Sequence, residues 1–245
     1  MAIAAPSLEA RAAAATTVLR DVAARHAPAA LASSFGAEDM VLIDLIAKAA
    51  LPIGVFTLDT GRLPDETHAL IDHARRFYAI GIDVYAPSAA ALEPFVRTNG
   101  VNAFYGSVEL RQACCAIRKT QPLARALAGK GAWITGLRRE QSITRHDAAL
   151  HEFDAVHGLD KFNPLVEWTR DDVWAYIRAH RVPYNALHDR GYASIGCAPC
   201  TRAIEPGENE RAGRWWWGSP DRKECGLHSR PVAIPIVAVE TVAAA

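Results

Sequence analysis

The sequence has few cysteines and no excess of either charge, and these shortages limit what the protein can do. Lysine plus arginine number 27, equal to aspartate plus glutamate, so the composition does not favour bulk nucleic-acid binding or an anionic membrane surface. No apolar run is long enough to span a bilayer. The Ala-rich N-terminus carries Glu9, Arg11 and Asp21 and lacks the apolar core of a secretory signal. We therefore expect a cytoplasmic protein with no nucleic-acid or membrane partner.

Only five cysteines occur among the 245 residues. In a reducing compartment, cysteines are more often metal ligands or catalytic thiols than disulfides, and an odd number leaves at least one without an intrachain partner. Cys114 and Cys115 are adjacent within a stretch that has the pattern of an amphipathic helix. A strained vicinal disulfide, chance, and shared ligation of one metal centre are the three explanations for this pair.

Two nucleotide-binding signatures are also missing. The sequence has neither the G-x-x-x-x-G-K-S/T phosphate loop nor the G-x-G-x-x-G dinucleotide motif, and it has no internal repeat. It does alternate apolar strand patterns with amphipathic helix patterns, which predicts a parallel sheet with right-handed crossovers. The predicted strands are 31–35, 53–59, 83–87, 131–137 and 162–168, and the clearest helices are 63–78 and 170–180. The fold class is thus α/β, with a Rossmann-like, doubly wound and mostly parallel sheet, followed by a loop-rich stretch after residue 190.

Three polar segments follow predicted strands, where an open parallel sheet binds its ligands. Residues 33–39 suit an anion or nucleotide cradle at a helix N-terminus, although Ser34 could simply cap that helix. Residues 58–62 could also contact a ligand at a strand end, or they could form an Asp-capped turn into the next helix. Residues 136–145 contain three arginines, which suit phosphate recognition but also occur in solvated charge runs. All three segments should converge on one crevice.

The other cysteines bear on the adjacent pair. Cys197 and Cys200 form a C-x-x-C motif, so that four thiolates are available for zinc or for an iron–sulfur cluster. Adjacent side chains on a helix diverge by about 100°, which suits the spaced irons of a cubane better than one tetrahedral ion. Zinc and unrelated core or redox cysteines remain the alternatives. Lys119, four residues after Cys115, would offset cluster charge or else be a solvated lysine.

The fifth cysteine, Cys225, lies in the polar sequence K-E-C-G-L-H. Lys223, Arg222 and His228 would favour its thiolate form, which is the nucleophile, and the loop-rich context would let it reach a site. A buried, inert thiol is the alternative.

Six motifs together indicate a family. They are S-S-F-G-A-E-D, L-D-T-G-R, C-C-x-x-R-K, G-L-R-R-E-Q-S-x-T-R, C-x-x-C and K-E-C-G-L-H, in this order between about residue 30 and residue 230. With this set, the chain resembles the thioredoxin-dependent adenylyl-sulfate reductases of assimilatory sulfate reduction, which belong with the 3′-phosphoadenylyl-sulfate reductases. The resemblance implies the Rossmann-like adenine-nucleotide domain of the ATP pyrophosphatases (adenine-nucleotide α-hydrolase-like), and reduction of adenosine 5′-phosphosulfate to sulfite and AMP by thioredoxin.

The resemblance also implies roles for individual residues. A [4Fe-4S] cluster would be bound by Cys114, Cys115, Cys197 and Cys200, and Cys225 would be the nucleophile, with His228 and Lys119 also catalytic. The substrate would contact Ser33, Ser34, Gly36, Leu58, Asp59, Thr60, Gly136, Arg138, Arg145, Arg211 and Arg214. The implied organisation is an N-terminal helical segment (1–28), a nucleotide- and cluster-binding α/β domain (29–205) and a mobile C-terminal tail with the catalytic cysteine (206–245).

Several alternatives stay open at this point. Relatives that prefer the 3′-phosphorylated substrate lack both cysteine pairs, so this chain looks like the adenylyl-sulfate type, with 3′-phosphoadenylyl sulfate as the alternative substrate. An ATP-pyrophosphatase-type adenylyltransferase would carry S-G-G-x-D-S after the first strand, and a non-catalytic zinc or cluster module would leave K-E-C-G-L-H unexplained. The run Trp215–Trp217 is better explained by packing than by a thioredoxin dock. The oligomeric state is undetermined, and a homo-oligomer is one option.

Overall fold

A computed structural model describes residues 6–142 and 145–218 of the chain. Its helices are α1 (Leu8–Arg25), α2 (Ala37–Lys48), α3 (Asp65–Tyr78), α4 (Ala89–Asn99), α5 (Val108–Cys115), α6 (Gln121–Leu127) and α7 (Arg170–His180). Its strands are β1 (Ala29–Ala32), β2 (Gly54–Leu58), β3 (Ile82–Tyr85), β4 (Ala132–Ile134), β5 (His151–Asp154) and β6 (Leu159–Phe162).

The six strands form one sheet in the order β3-β2-β1-β4-β6-β5. All neighbouring strands are parallel except β5 and β6, which pair antiparallel at one edge. The chain builds outward from β1 through β2 to β3, and then returns to the other side of β1 with β4. This reversal is the topological switch point of a doubly wound sheet, beyond which ligands bind. The predicted α/β, mostly parallel fold is confirmed.

The main core lies between the sheet and helices α1, α2 and α7. Helix α2 is buried on nearly all sides because it lies in the middle of this layer, and Met40 through Ile43 are fully buried. Helix α6 covers the other face, where Leu123 and Leu127 pack with Trp133. None of the helices within the described ranges is both long and apolar enough to cross a membrane.

The predicted strand at 162–168 is wrong. Strand β6 ends at Phe162, and turns follow in which the Val166 N–H donates to Asn163 O (3.0 Å) and the Trp168 N–H donates to Leu165 O (2.9 Å). Pro164 cannot donate to a strand ladder, and β6 is paired on both sides, so the sheet cannot continue through it. The apolar residues that suggested a strand are buried in the turn instead.

Candidate active site

A cavity of about 210 Å³ opens at the carboxyl ends of the strands beside the switch point. The three polar segments do converge there. Of the residues predicted to bind substrate or act on it, the cavity is lined by Ser33, Ser34, Gly36, Leu58, Thr60, Lys119, Gly136, Arg145, Arg211 and Arg214. Asp59 and Arg138 do not line it. Their substrate roles stay predictions, and the contacts described below give each of them a structural function.

The segment after β1 folds around the carboxylate of Asp39. The Ser34 N–H and hydroxyl both donate to Asp39 Oδ2, at 2.6 and 2.8 Å, and Phe35 turns the chain with a φ of 59°. Helix α2 has Gly36 at its N-cap, and Ser34 does not cap it. Burial raises the pKa of Asp39 to about 6, against the opposing hydrogen bonds from Ser34. The first turn of α2 is therefore held against the cavity by a buried acid.

Gly136 lets the end of β4 approach that turn closely. A Cβ atom at this position would lie 2.4 Å from Asp39 Oδ1 and 2.8 Å from the Cβ of Glu38. Those distances are too short for any other side chain without displacement of α2. Because residue 136 has no side chain, the end of β4 and the first turn of α2 can lie in contact and form the floor of the cavity.

The turn after β2 links the cavity to the cysteines. Asp59 accepts a hydrogen bond from the Gly61 N–H (2.8 Å) and pairs with His68 (3.3 Å), so it is the Asp-capped turn that the sequence allowed. Thr60 is buried and lines the cavity, and its hydroxyl lies 3.2 Å from Cys197 Sγ. The two parts of the predicted site are therefore in direct contact.

The four cysteines in the described part of the chain form one buried group. Cys114, Cys115, Cys197 and Cys200 are between 7% and 9% exposed and pack with Phe104 and Trp215. None of the four is in a disulfide, which excludes a vicinal bridge. Burial raises the pKa of the Cys114 thiol, and it raises the pKa of the Cys200 thiol to about 11. Thiolates would need a compensating positive charge here.

Positive charge surrounds these thiols. Arg118 and Lys119 oppose the rise of the thiol pKa at Cys114 and Cys200, respectively, and Arg214 also acts on Cys200. The guanidinium groups of Arg111 and Arg214 lie over the Trp215 ring, 4.8 and 4.7 Å from its centroid. Both arginines are buried, so their positive charge acts on the thiols with little screening by solvent.

This donor set is compatible with an iron–sulfur cluster. Four buried thiols within one packed group, ringed by buried cations, are the ligands and the charge that such a cluster requires. Within the described ranges, no three metal-ligating side chains gather as they would around a single ion. The residues fit the group by chemistry and neighbourhood, and the cluster remains a proposal.

Helix α5 does not simply continue beyond Cys115. Residues Ala116–Thr120 form a π-helical turn, closed by the Gln121 N–H donating to Ala116 O. Such a turn inserts an extra residue, so Lys119 does not lie where four residues of regular α-helix after Cys115 would place it. The turn nevertheless directs Lys119 into the cavity wall, while Arg118 donates to Thr60 O at 2.6 Å.

The tryptophan run divides between two environments. Trp215 is 2% exposed and its backbone N–H donates to Cys200 O at 3.1 Å, as the packing explanation predicted. Trp216 is 41% exposed, and the Trp217 ring contacts the Tyr105 ring at a tilt, with the ring centroids 4.5 Å apart. The segment through Gly218 is therefore packed on the domain, and it brings Arg211 and Arg214 to the cavity.

Sequence reasoning missed two features of this site. The Nδ1–H of His188 donates to Tyr192 O at 2.7 Å, and burial lowers the pKa of His188. Nε2 is therefore an acceptor in the cavity wall, and it has no hydrogen-bond partner among the described residues. No motif marks this histidine. Arg111 lies three residues before Cys114, and Arg118, part of the motif C-C-x-x-R-K, lies three after Cys115, but the sequence assigned neither a role.

Two predicted catalytic residues, Cys225 and His228, lie outside the described residues. Their roles as nucleophile and catalytic partner stay predictions.

Comparison with known proteins identifies relatives of the whole arrangement. Residues 28–203 match the family described as the phosphoadenosine phosphosulfate reductase domain. Adenosine 5′-phosphosulfate reductase of Allochromatium vinosum is 55% identical over 93% of this chain and 89% of its own length. Adenosine 5′-phosphosulfate reductase of Burkholderia cepacia is 53% identical over 91% of this chain and 89% of its own.

A solved structure adds a likeness in three dimensions. The crystal structure of phosphoadenylyl-sulfate reductase from Candida auris, a phosphate complex, is 26% identical with a TM-score of 0.67, and the match covers 83% of this chain and 100% of that one. Sequence and structure agree, and the chain belongs to the phosphoadenosine phosphosulfate reductase family, among relatives named adenosine 5′-phosphosulfate reductases.

Proposed function

We propose that this protein reduces adenosine 5′-phosphosulfate to sulfite and AMP, with thioredoxin as the electron donor. The observation that carries the proposal is the cation-lined cavity at the switch point, in a chain 55% identical to a protein named for this substrate. Lys119, Arg145, Arg211 and Arg214 supply positive charge where an anionic phosphosulfate would bind.

The chemistry proceeds in two displacements at sulfur. The Cys225 thiolate attacks the sulfate sulfur, the bond from that sulfur to the phosphate oxygen breaks, and AMP leaves an S-sulfocysteine on the enzyme. A thiolate of reduced thioredoxin then attacks the Cys225 sulfur and releases sulfite. The second thioredoxin thiol resolves the mixed disulfide, so the dithiol provides both electrons. Positioned cations accelerate the first transfer because the leaving phosphate gains negative charge.

Each part of the described site has a role in this scheme. The polar turns after β1 and β2 hold the nucleoside, and the lysine and arginines orient the phosphosulfate toward the nucleophile. Cys114, Cys115, Cys197 and Cys200 would hold a [4Fe-4S] cluster. When bound, that cluster supplies fixed charge and a rigid link between α5 and the C-x-x-C segment.

A sulfite-release assay with thioredoxin and each of the two nucleotides tests the proposal. We expect turnover of adenosine 5′-phosphosulfate with little or none of 3′-phosphoadenylyl sulfate. Preference for the 3′-phosphorylated nucleotide would favour the alternative substrate, which the named Candida auris relative supports. No sulfite from either nucleotide would refute the proposed reaction.

The role of Cys225 is tested separately. Cys225→Ser should abolish sulfite formation and leave AMP affinity within about twofold of the parent, because the cysteine reacts with the sulfate rather than with the nucleoside. Mass spectrometry of the parent after one turnover without thioredoxin should find the sulfonate on Cys225. An adduct on any other cysteine would contradict the assignment.

A further inference from the structure

We infer that Arg138 is a positioning residue that anchors residues 209–215 beside the cavity and thereby places Arg211 and Arg214. The inference rests on the proposed function, because its consequence is measured on nucleotide binding. It differs from the substrate contact that the sequence predicted for Arg138.

The geometry of Arg138 shows what it binds. Its side chain is 1% exposed, and each guanidinium nitrogen pairs with a carboxylate: Nε with Glu38 at 2.8 Å, Nη1 with Glu140 at 2.9 Å and Nη2 with Glu210 at 3.2 Å. The three glutamates come from the first turn of α2, the turn after β4 and the C-terminal segment. One buried cation thus joins three separate parts of the chain.

Glu210 connects this ion cluster to the cavity. It directly precedes Arg211, and Glu210, Arg211 and Arg214 all line the cavity. Successive turns make the segment compact, since the Arg211 N–H donates to Asn209 Oδ1 (2.9 Å) and the Arg214 N–H donates to Arg211 O (3.0 Å). A shift of Glu210 must therefore be transmitted to both arginines.

Arg138 is not the only anchor of the segment. The Arg202 N–H donates to Gly213 O at 3.0 Å, and Arg170 lies 3.5 Å from Glu210. Loss of the Arg138 contact should therefore displace the two arginines without releasing the segment. We expect weaker ligand binding in a protein that still folds.

A charge argument makes the inference testable. Glu38 and Glu210 line the cavity in which the proposed function places an anion, so their negative charge by itself would oppose binding. If Glu210 acted only through its field, Glu210→Gln would bind AMP more tightly. If Glu210 acts by holding the segment, the same change would weaken binding although a negative charge is removed. The two explanations predict opposite signs.

The experiment measures AMP affinity by calorimetry, and KM for adenosine 5′-phosphosulfate, in the full-length protein. We expect Glu210→Gln and Arg138→Gln each to weaken AMP binding roughly five- to twentyfold. Because both changes break the same contact, the double variant should bind AMP no more weakly than the single variant with the lower affinity. Arg138→Lys should fall between Arg138→Gln and the parent, since it keeps the charge but cannot reach all three carboxylates. Arg139→Gln is the matched control, because its exposed ion pair with Glu167 lies outside the cavity lining.

The outcomes separate this inference from the proposed function. Three outcomes would overturn the positioning role: tighter or unchanged AMP binding in Glu210→Gln, additive effects in the double variant, or a loss of stability alone. An active parent would still support the proposed function in each of these cases. If Arg138→Gln fails to fold, the near-isosteric Glu210→Gln still decides the sign. A parent that binds no AMP and forms no sulfite would overturn both.

Discussion

At the scale of single residues, the switch point depends on how closely β4 can approach α2. Asp39 and Gly136 meet there, and neither tolerates much change for different reasons. Asp39 Oδ2 accepts two hydrogen bonds from Ser34, which a side chain without an acceptor oxygen would lose, and a Cβ at position 136 would collide with Asp39 Oδ1. The cavity floor is thus set by one pair of neighbouring residues.

Gly136→Ala should destabilise the protein by about 2 kcal/mol, because the added Cβ would lie 2.4 Å from a buried carboxylate oxygen. Urea unfolding monitored by tryptophan fluorescence measures this change. Gly81→Ala is the control, since a Cβ there meets nothing within 4 Å, and its effect should stay within about 0.5 kcal/mol. Equal effects of the two substitutions would contradict the packing argument.

The raised pKa of Asp39 predicts a pH dependence of stability. The folded protein binds this proton more tightly than the unfolded chain, since the pKa rises from 3.8 to about 6. The group's stabilising contribution is therefore complete below about pH 4 and is lost as the pH rises through 6. Relative to Asp39→Asn, the parent should lose up to about 3 kcal/mol of unfolding free energy between pH 4 and pH 7. A difference that does not vary with pH would disprove the shift.

At the scale of elements, the π-helical turn after α5 serves both halves of the site. It follows the adjacent cysteines and sends Arg118 to the Thr60 carbonyl while Lys119 reaches the cavity. A regular α-helix would rotate these side chains differently, since each added residue turns the helix by about 100°. Functional sites often contain such turns.

Lys119→Ala should lower the single-turnover rate of S-sulfocysteine formation on the order of a hundredfold, and AMP affinity much less, because its charge is needed where the phosphosulfate breaks. Rapid quenching followed by mass spectrometry measures that rate. Lys130→Ala, which removes a lysine outside the cavity lining, should leave the rate unchanged. A normal rate in Lys119→Ala would exclude the lysine from the chemistry.

At the scale of the whole molecule, the cysteine group joins segments that are distant in sequence. It ties α5 to the C-x-x-C segment and to the chain around Trp215, and it contacts the cavity through Thr60. The Ala198 N–H also donates to Arg62 O at 2.8 Å, which joins the C-x-x-C segment to the turn after β2. A cluster bound here would therefore stabilise the fold as well as the site.

Cys114→Ser and Cys197→Ser should each lose iron and visible absorption. Their free energy of unfolding should be lower than that of the parent by about 2 kcal/mol or more, because a group bound to the native state adds directly to its stability. Iron analysis of anaerobically purified protein, with thermal unfolding, checks both effects. Cys225→Ser is the control and should keep its iron. If the anaerobically purified parent contained no iron, the proposed cluster would be refuted.

Much of the candidate site was predictable because its motifs follow strands, and the carboxyl ends of parallel strands meet at one edge. Ser33, Thr60, Gly136 and Arg145 were brought together as expected. The predicted strand at 162–168 was wrong because buried apolar residues give the same sequence pattern in a strand and in a turn. Edge strand β5 was missed because it is largely exposed and lacks an apolar pattern. His188 has no local signal, since its role depends on what surrounds it.

The fold class, the family and the grouping of the four cysteines were predictable from the sequence, because they follow from periodicity and from the order of motifs along the chain. Which arginine pairs with carboxylates and which one faces the cavity depends on the tertiary structure. Arg138 and Arg145 stand in one arginine-rich segment, yet one is enclosed by three carboxylates and the other faces the cavity. The physical reason is that the partners of Arg138 come from residues up to 100 positions away, and only folding brings them within hydrogen-bonding distance.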